Sequence, residues 1–508
     1  MKNIKTVLTT KGEEVSYFDE IIASGTMKDV YLCSDNKRVV AFYREPLDSV
    51  GVDRIETIAS SYYNGIFNNK YGEYWQNLLC WPQSVVYDGE RYGVVLPKYR
   101  DSFKFKYGSI NNDFLEIIGE EKKGKWFTTP TNRLTRLDPK EIGDWRIYLK
   151  ISLNIARALR RLHATGLAHS DLSYNNVLIS PSTGEACIVD LDGLVVPNKF
   201  PPDVIGTADF IAPEVVASSH LKKDDPKRVL PSRDTDRHAL AVLIYQYLLL
   251  RHPLRGIKIH DIEDPNIDET LAMGEKALFI EHPTDQSNRS SIKNLKEIEK
   301  FWNNTLKLPF TITGPYLSPL FQLAFVDGLH NPKKRPTADD WEIALIKTMD
   351  LLQPCYDDKC VAKFYPFTST KPICPFCDTP HEGELPIINL YTDRGTDAEN
   401  SKFISDNHRV VVSKDLSIYP WHIDRAIVPN ERLPKELKVR VGYTIYHQDS
   451  WILVNEKIES LVDYTNSQEP KHIPIGGHIK LTDGLKLIVD NGSSKRLLLL
   501  QMVLSNKA

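Results

Sequence analysis

One short segment of the sequence, AHSDLSYNNVLIS, combines residues that can handle protons and metal ions. It places His169, Asp171 and Asn176 just before an apolar run that is typical of a strand. A carboxylate can accept the proton of an attacking hydroxyl group, and an amide oxygen can bind a hard cation such as Mg²⁺. The alternative is that the three residues only form turns and caps, so the assignment depends on residues farther along the chain.

A second carboxylate follows at the end of the next apolar strand, in the segment ACIVDLDG. Asp190 ends that strand, and Asp192 is an alternative ligand nearby. Asn176 and Asp190 together offer two oxygen ligands of the kind that Mg²⁺ prefers. The predicted chemistry is phosphoryl transfer, which needs a base near the acceptor hydroxyl, metal ligands, and cations on the phosphates.

Four ordered motifs resemble those of the eukaryotic-type serine/threonine protein kinase family. They are H-x-D-x-x-x-x-N at His169–Asn176, the Ala-Pro-Glu that ends at Glu214, an Asp236 that opens a buried helix, and Arg335 in NPKKRPTADDW. The resemblance implies a bilobal kinase fold in which Asp236 braces the catalytic loop and Arg335 pairs with Glu214. Small-molecule phosphotransferases share the first motif, but they are not expected to have the last pair.

The resemblance also implies the roles of the site residues, with ATP and Mg²⁺ as cofactors and a protein as substrate. Asp171 would be the catalytic base, and Thr207 in GTADF would lie beside it, as in serine/threonine kinases. Asn176 and Asp190 would hold the metal and the nucleotide. The nucleotide would also contact three residues of the first strands, Gly25, Val30 and Ala41.

The first strands depart from the kinase pattern in their glycines and in their lysine. The segment IIASGTMKDVYLCSDNKRVVAFYR keeps one of three expected glycines, Gly25, and has Lys28 at the third glycine position. Tyr43 occupies the place of the usual third-strand lysine, and Tyr cannot act as a cation. This combination resembles the with-no-lysine kinases, which implies that Lys28 is the phosphate cation.

Arg44 is the other candidate for that cation. Strand side chains alternate, so Arg44 is predicted to point away from Tyr43, whereas Lys28 faces the same way as Val30. Glu56, in a predicted helix, is the candidate ion-pair partner of the cation. The alternative is that Lys28 is only a solvated loop charge and the site lacks a phosphate cation.

Two further departures lie in the catalytic loop. Ser170 replaces an Arg that normally binds an activation-segment phosphate, so regulation by that phosphate is not expected. Ser173 replaces a Lys that contacts the γ-phosphate, and its loss would cost on the order of 10²-fold in rate if nothing compensates. These losses keep a second hypothesis open, namely a pseudokinase scaffold that binds nucleotide or partners without catalysis. A small-molecule kinase is a third.

The elements around these residues predict an α+β chain with several domains. Residues 1–97 read as a strand-rich N-lobe with a hairpin at Asp88-Gly89, and residues 98–352 as a helical C-lobe that begins with an irregular segment. Residues 353–384 would form a zinc-ribbon-like module. Residues 385–508 read as a β-sandwich-like domain, because short strands alternate there with Asp-Gly and Asn-Gly turns.

Four cysteines lie within the predicted zinc module. Cys355, Cys360, Cys374 and Cys377 follow the pattern C-x4-C-x13-C-x2-C, and the tight CPFC turn lets two thiolates converge on one tetrahedral Zn²⁺. Four protein ligands leave no open position, so the zinc is predicted to be structural, with His381 as a substitute ligand. The alternative is four unlinked thiols in a polar loop.

Bulk composition excludes some partners and suggests a location. The chain of 508 residues has a net charge of -3, so neither nucleic acid nor a membrane is expected as a partner. Seven cysteines without an export signal favour a cytoplasmic location.

The end of the chain faintly resembles a forkhead-associated domain, although its phosphothreonine-binding Arg and Ser have no clear counterparts. The order of kinase, ribbon and β tail resembles bacterial kinases of stress-response clusters, including tellurite-resistance types. That resemblance implies a signalling role beside a phosphatase and a von Willebrand A protein.

Overall fold

The computed structural model describes residues 3–25, 27–197, 199–202, 206–222, 224–393, 403–414, 416–492 and 494–504. The chain divides into two compact units. The first comprises residues 1–143, 147–310 and 318–343, and the second comprises residues 144–146, 311–317 and 344–508. Within the described residues, no helix is both long enough and apolar enough to cross a lipid bilayer.

The first unit begins with six antiparallel strands: β1 (Ile4–Thr9), β2 (Glu14–Ser24), β3 (Lys28–Cys33), β4 (Arg38–Tyr43), β5 (Ser84–Tyr87) and β6 (Tyr92–Pro97). They close into a barrel in the order β1-β2-β3-β4-β6-β5. Alternate apolar residues fill the barrel, among them Tyr17, Val40 and Phe42. The predicted hairpin at Asp88-Gly89 is confirmed, because β5 pairs antiparallel with β6.

The register of β3 and β4 brings the unusual residues of the barrel together. Lys28 lies opposite Tyr43, and Val30 lies opposite Ala41. Residues directly opposite each other on antiparallel strands project to the same face of a sheet. Lys28, Val30, Ala41 and Tyr43 therefore share one face.

The helix predicted between β4 and β5 is interrupted. Helix α1 (Ser49–Thr57) and helix α2 (Tyr63–Phe67) flank a π-helical turn at Ile58–Tyr62. Asp48 caps α1 by accepting the Gly51 N–H at 2.7 Å. The first helix buries Arg54, and a buried arginine needs partners that the local sequence does not supply.

Further helices up to residue 350 are α3 (Gly72–Gln76), α4 (Ile110–Asp113), α5 (Pro139–Ile142), α6 (Trp145–Ala164), α7 (Pro213–Ala217), α8 (Arg233–Leu249), α9 (Pro265–Met273), α10 (Glu297–Asn303), α11 (Ser318–Gln322) and α12 (Ala338–Asp350). Helix α8 begins with a polar turn and is then mostly apolar and buried from Ala239 to Leu249. Gly166 follows α6 with a left-handed φ of 87°, which lets the chain turn into the segment before β7 (Val177–Ser180) and β8 (Glu185–Ile188).

The stretch between residues 101 and 143, predicted to be irregular, contains ordered short turns. Lys122 and Glu141 form a buried ion pair with Nζ and Oε2 2.7 Å apart. In α4, Asn111 and Asn112 have left-handed backbone angles, so this turn is not a regular helix. A 3₁₀ turn at Gly124–Phe127 and a π-helical turn at Thr131–Arg136 follow.

The second unit is rich in strands: β9 (Leu352–Pro354), β10 (Phe364–Pro366), β11 (Glu384–Asp393), β12 (Phe403–Val411), β13 (Ser417–Ile418), β14 (Gly442–His447), β15 (Ser450–Asn455), β16 (Leu461–Asp463), β17 (Lys471–His472), β18 (His478–Lys480), β19 (Lys486–Asp490) and β20 (Lys495–Leu504), with helix α13 (Pro420–Ile423). One antiparallel sheet has the order β12-β11-β20-β19-β16-β17 and another β13-β14-β15-β18. Both contribute to one apolar core that includes Leu390, Leu453 and Leu498.

Strand β14 buries the opposite face from the one that its apolar residues suggest. Tyr443 and Ile445 are only half-buried, whereas Gly442 and Thr444 are buried. The hydroxyl of Thr444 donates to the carbonyl oxygen of Ser413 at 2.8 Å, which makes its burial tolerable.

Candidate active site

The segment from His169 to Asn176 is held by one buried carboxylate of helix α8. Asp236 accepts the backbone N–H of His169 at 2.8 Å and that of Ser170 at 3.2 Å. The imidazole of His163 lies 3.0 Å from the same carboxylate. The expectation that Asp236 braces this loop therefore matches the observed contacts, and Ser170 is fixed with a left-handed φ of 67°.

Asp171 is oriented by three donors. Its Oδ1 accepts the backbone N–H of Thr207 at 2.7 Å and the hydroxyl of Thr207 at 2.8 Å. Its Oδ2 accepts the side-chain amide of Asn176 at 2.8 Å. A carboxylate has about four lone-pair positions, so one remains for a further donor. The Thr207 hydroxyl also lies 3.1 Å from Ser173 Oγ, so Ser173 is part of the same network.

Asn176 presents its amide oxygen away from Asp171. Its Nδ2 donates both to the backbone oxygen of Asp171, at 2.9 Å, and to Asp171 Oδ2. These two bonds fix which end of the amide faces the loop. The oxygen is left available to a hard cation, which is the ligand type that Mg²⁺ prefers.

Lys28 reaches two carboxylates that follow strand β8. Its Nζ lies 3.0 Å from Asp190 Oδ1 and 2.7 Å from Asp192 Oδ2. Burial favours the neutral amine, but the charges of Asp192 and Asp190 outweigh it and hold the pKa of Lys28 above its ordinary value. Lys28 is therefore a cation fixed where β3 begins.

The two carboxylates differ in exposure. The side chain of Asp192 is 4% exposed and that of Asp190 is 53% exposed. Burial alone would raise the pKa of Asp192, yet Lys28 and Tyr43 hold it below its ordinary value. Asp190 has a left-handed φ of 61° and an open carboxylate, so it is the one available to a ligand in solution.

Tyr43 donates its hydroxyl to Asp192 Oδ2. Burial, reinforced by the charge of Asp192, raises the pKa of Tyr43 well above its ordinary value, so the hydroxyl keeps its proton. The ammonium of Lys28 lies 5.3 Å from the centre of the Tyr43 ring. Tyr43 thus fixes the carboxylate that fixes Lys28.

Arg44, the other candidate for the cation, and Glu56, the candidate ion-pair partner, form no hydrogen bond or ion pair with Lys28 in the described part of the chain. Arg44 donates through Nε and Nη2 to Asp29, at 3.0 and 2.9 Å, on the opposite face of the barrel from Lys28. Glu56 is half-buried on α1, and among the described residues the ion-pair partners of Lys28 are Asp190 and Asp192. Glu56 was the candidate because it lies on the predicted helix, and the sequence alone did not show that the buried carboxylate of Asp192 pairs with Lys28.

The predicted nucleotide contacts share an apolar surface. Ala41 packs in one cluster with Tyr43, Val85 and Val94, and Val30 lies against that cluster. Gly25 closes the turn before β3 by donating its N–H to the backbone oxygen of Lys28 at 2.9 Å. The arrangement offers apolar walls next to a fixed cation.

The segment between Asp190 and Glu214 is anchored at its end and near its middle. Arg335 forms a two-pronged ion pair with Glu214 at 2.8 and 2.7 Å, as the motif spacing predicted. Arg54 of α1 donates to the backbone oxygen of Pro201 at 2.7 Å, and its guanidinium lies 5.8 Å from the Phe200 ring centre. Sequence reasoning missed Arg54, because its partners are far away along the chain.

The four cysteines of the second unit converge. Sγ of Cys355 lies 3.4 Å from Sγ of Cys377, and Sγ of Cys360 lies 3.8 Å from Sγ of Cys374. Four thiolates at about 2.3 Å from a tetrahedral Zn²⁺ lie about 3.8 Å apart, so the donor set fits that ion. His381 is buried beside Tyr356, with ring centres 5.0 Å apart.

A sequence model of the protein kinase domain matches residues 128–341. The matched region contains the loop of Asp171 and the pair of Glu214 and Arg335. It begins after the barrel, so the roles of Lys28 and Tyr43 rest on geometry alone. Residues 128–341 thus resemble a protein kinase domain.

Several curated proteins are similar to parts of the chain. A protein from Caenorhabditis briggsae described as cAMP-dependent protein kinase, catalytic subunit-like, is 26% identical over 37% of this chain and 51% of that protein. Serine/threonine-protein kinase PknD of Chlamydia abortus is 28% identical over 25% of this chain and 15% of that protein. The chain thus spans about half or less of their lengths. The rhoptry antigen kinase domain of Toxoplasma gondii aligns with a TM-score of 0.36 at 16% identity, over 53% of this chain and 77% of that chain.

Proposed function

Taking the kinase domain at residues 128–341 as the starting point, we propose that this chain is a Mg-ATP-dependent serine/threonine protein kinase. The observation that carries the proposal is the set of hydrogen bonds on Asp171 from Asn176 and Thr207. It orients a carboxylate with one lone-pair position left over. A chain that only bound partners would have no use for that orientation.

Asp171 would act as the base. Thr207 and Asn176 hold its carboxylate still, and its remaining position faces no other donor among the described residues. There it would accept the proton of a serine or threonine hydroxyl as that oxygen attacks phosphorus. Positioning of this kind supplies most of the catalysis in phosphoryl transfer, since the protein forms no bond to the phosphate.

Asn176 and Asp190 would hold Mg²⁺ through their oxygens, and Lys28 would supply a phosphate cation. When bound, the metal ion neutralises charge on the nucleotide phosphates. Asp192 and Tyr43 keep the ammonium of Lys28 in place beside Asp190. Gly25, Val30 and Ala41 would line the nucleotide side of the same cleft.

Transfer of labelled phosphate from radiolabelled ATP with Mg²⁺ tests this proposal. The full chain would be compared with Asp171→Asn and Lys28→Met, and with Arg44→Met as the matched control on the opposite face. We expect label on protein with the unchanged chain and Arg44→Met, and a loss of at least about 100-fold in the other two.

Each other outcome has a definite meaning. If Lys28→Met stays active while Asp171→Asn is inactive, the kinase stands and the role of Lys28 falls. If the unchanged chain binds ATP but transfers nothing, the pseudokinase scaffold replaces the enzyme. That alternative draws support from Ser170 and Ser173, and from the full engagement of Lys28 by its two carboxylates.

Three further features belong to the proposal. The four cysteines would bind one structural Zn²⁺, which their convergence supports. A cytoplasmic location is supported by the seven cysteines, none of which forms a disulfide within the described residues. The role in a bacterial stress response, with a phosphatase and a von Willebrand A protein as partners, rests on the order of the domains. The faint resemblance to a forkhead-associated domain supports an interaction role for the β-rich domain.

A further inference from the structure

A cavity of about 550 Å³ opens beside the catalytic loop of the first unit. Tyr174 and Asn175, which lie between Asp171 and Asn176 in sequence, form part of its lining. Consecutive Cα atoms are 3.8 Å apart, so Tyr174 lies at most about 11 Å from Asp171. If a peptide binds here, the residues that it places in the cavity lie within a few positions of the serine or threonine whose hydroxyl reaches Asp171.

The charges that line this cavity are mostly positive. Lys125 and Arg136, from the two turns before α5, are exposed at its rim. Arg136 donates to the neutral Asn132 at 3.0 Å, and neither cation has a carboxylate partner among the described residues. The chain as a whole carries a net charge of -3, so this positive charge is local.

The carboxylate in the cavity lining does not cancel these charges. Asp209 accepts the guanidinium of Arg255 at 2.7 Å and the hydroxyl of Tyr174 at 3.3 Å. Arg255 in turn also pairs with Glu269. Arg255 is thus shared by two carboxylates, and this group carries one net negative charge. Lys125 and Arg136 carry two positive charges without a carboxylate partner among the described residues, so the cavity keeps a positive rim that is open to an anionic ligand.

A buried acceptor in the same lining points to a ligand with N–H groups. Gln246 is 5% exposed, and its buried Oε1 has no hydrogen-bond partner among the described residues. A buried acceptor without a donor is costly, and a peptide N–H would satisfy it. Trp126 and Tyr174 add aromatic surface.

We propose that this cavity binds an acidic stretch of the protein substrate next to the phosphorylated residue. The inference rests on the proposed kinase function and adds the substrate class. Carboxylate or phosphate groups of the peptide would contact Lys125 and Arg136, since either anion forms strong charge-assisted bonds with such cations. Acidic peptides are therefore selected over neutral and basic ones.

Peptide binding and phosphorylation test the proposal in parallel. Three peptides would carry one threonine flanked at two to four residues by Glu, Gln or Lys, and a fourth would carry phosphoserine. Peptide binding is measured by fluorescence anisotropy, with the full-length Asp171→Asn variant so that no phosphate is transferred. Phosphate transfer is measured with the unchanged chain. The test variant is Lys125→Glu with Arg136→Glu, backed by Lys125→Gln with Arg136→Gln. The matched control is Lys11→Glu with Lys37→Glu, two exposed lysines of the barrel.

We expect the unchanged chain to prefer the Glu and phosphoserine peptides over the Lys peptide by about tenfold or more in Kd and KM. The Glu variant should reverse this preference and the Gln variant should abolish it, whereas the barrel control should keep it. The phosphoserine peptide shows whether phosphate is preferred to carboxylate.

Equal binding of the Glu, Gln and Lys peptides overturns the inference. So does an acidic preference that survives both changes of Lys125 and Arg136. If acidic peptides bind through these residues but no peptide is phosphorylated, the binding site stands and the kinase activity falls. If phosphate is transferred without regard to charge, the activity stands and the site falls.

Discussion

Lys28 and Tyr43 divide between them the roles that a single third-strand lysine fills in the kinases that the chain resembles. Because they face each other across β3 and β4, a lysine at either position can reach Asp192. The hydroxyl of Tyr43 and the ammonium of Lys28 now share that carboxylate. The position of the cation is therefore set by the strand pairing, not by a particular residue number.

This pairing predicts that the lysine can be moved. Lys28→Met alone should lose at least about 100-fold in kcat, whereas Lys28→Met with Tyr43→Lys should recover about tenfold or more. Single-turnover phosphoryl transfer measures both, and Lys28→Met with Tyr43→Phe is the control. A double variant as inactive as Lys28→Met would show that position 43 cannot deliver a cation to the cleft.

The buried Asp192 predicts a pH dependence of stability. Its folded pKa lies below the ordinary value of 3.8, so its contribution is fully present above about pH 4 and is lost as pH falls further. Asp192→Asn should lower the free energy of unfolding by about 3 kcal/mol at pH 7, because it leaves Lys28 without its buried partner.

Urea unfolding at pH 7 and pH 3 measures this effect. The gap between the unchanged chain and Asp192→Asn should be smaller at pH 3 than at pH 7. Asp190→Asn serves as the comparison, and it should cost less because that carboxylate is largely exposed. A gap that stays constant between the two pH values would rule out a charged Asp192 as its source.

At the scale of elements, α1 and the segment after β8 are tied together by Arg54. Its bond to the backbone of Pro201 and its position over Phe200 hold the segment without a phosphate. This agrees with Ser170, which offers no guanidinium to a phosphate. Arg54 thus anchors this segment through a backbone contact and a ring contact.

Arg54→Met keeps the alkyl stem but removes the bond to Pro201. We expect kcat to fall about tenfold with little change in KM for ATP, and faster amide hydrogen exchange in the segment after Phe200. Arg44→Met is the control, since its partners lie on the other face of the barrel. Unchanged exchange in the segment would mean that Arg54 does not position it.

The elements that were predicted correctly are those with a local signature. The Asp88-Gly89 turn identified the β5–β6 hairpin, and the kinase-like motifs identified the bracing by Asp236 and the pair of Glu214 and Arg335. The π-helical turn in the helix after β4 and the buried face of β14 left no such signature. In β14, the hydroxyl of the buried Thr444 is satisfied by a contact to Ser413 that lies 31 residues away along the chain.

The parts of the site that were missed share one physical cause. Tyr43 meets Asp192, and Arg54 meets Pro201, across about 150 residues of chain. Such contacts depend on how elements pack, which no periodicity records. The clearest case is the buried ion-pair partner of Lys28, which is Asp192 and not Glu56.

At the scale of the whole molecule, Asp171, Asn176 and Asp190 lie in the first unit, whereas the cysteine cluster lies in the second. Substitution of the cysteines should therefore change zinc content and stability, whereas substitution of the catalytic residues should not change zinc content. Mass-spectrometric metal analysis should find one Zn²⁺ per chain, and Cys374→Ser with Cys377→Ser should lose it. Cys33→Ala, a buried cysteine outside the cluster, should keep it.

Loss of that zinc should also lower the unfolding temperature, since a metal bound only by the folded state stabilises it. A chelator should reproduce the effect in the unchanged chain. Full retention of zinc after both substitutions would place the ion elsewhere.

The pair of carboxylates on Lys28 also governs its reactivity as a nucleophile. An amine reacts with acylating reagents only in its neutral form, and the raised pKa leaves very little of that form near neutral pH. Reagents that acylate lysines would therefore pass over Lys28 and label exposed lysines such as Lys11 first. The contacts that fix the cation also shield it from covalent inhibitors.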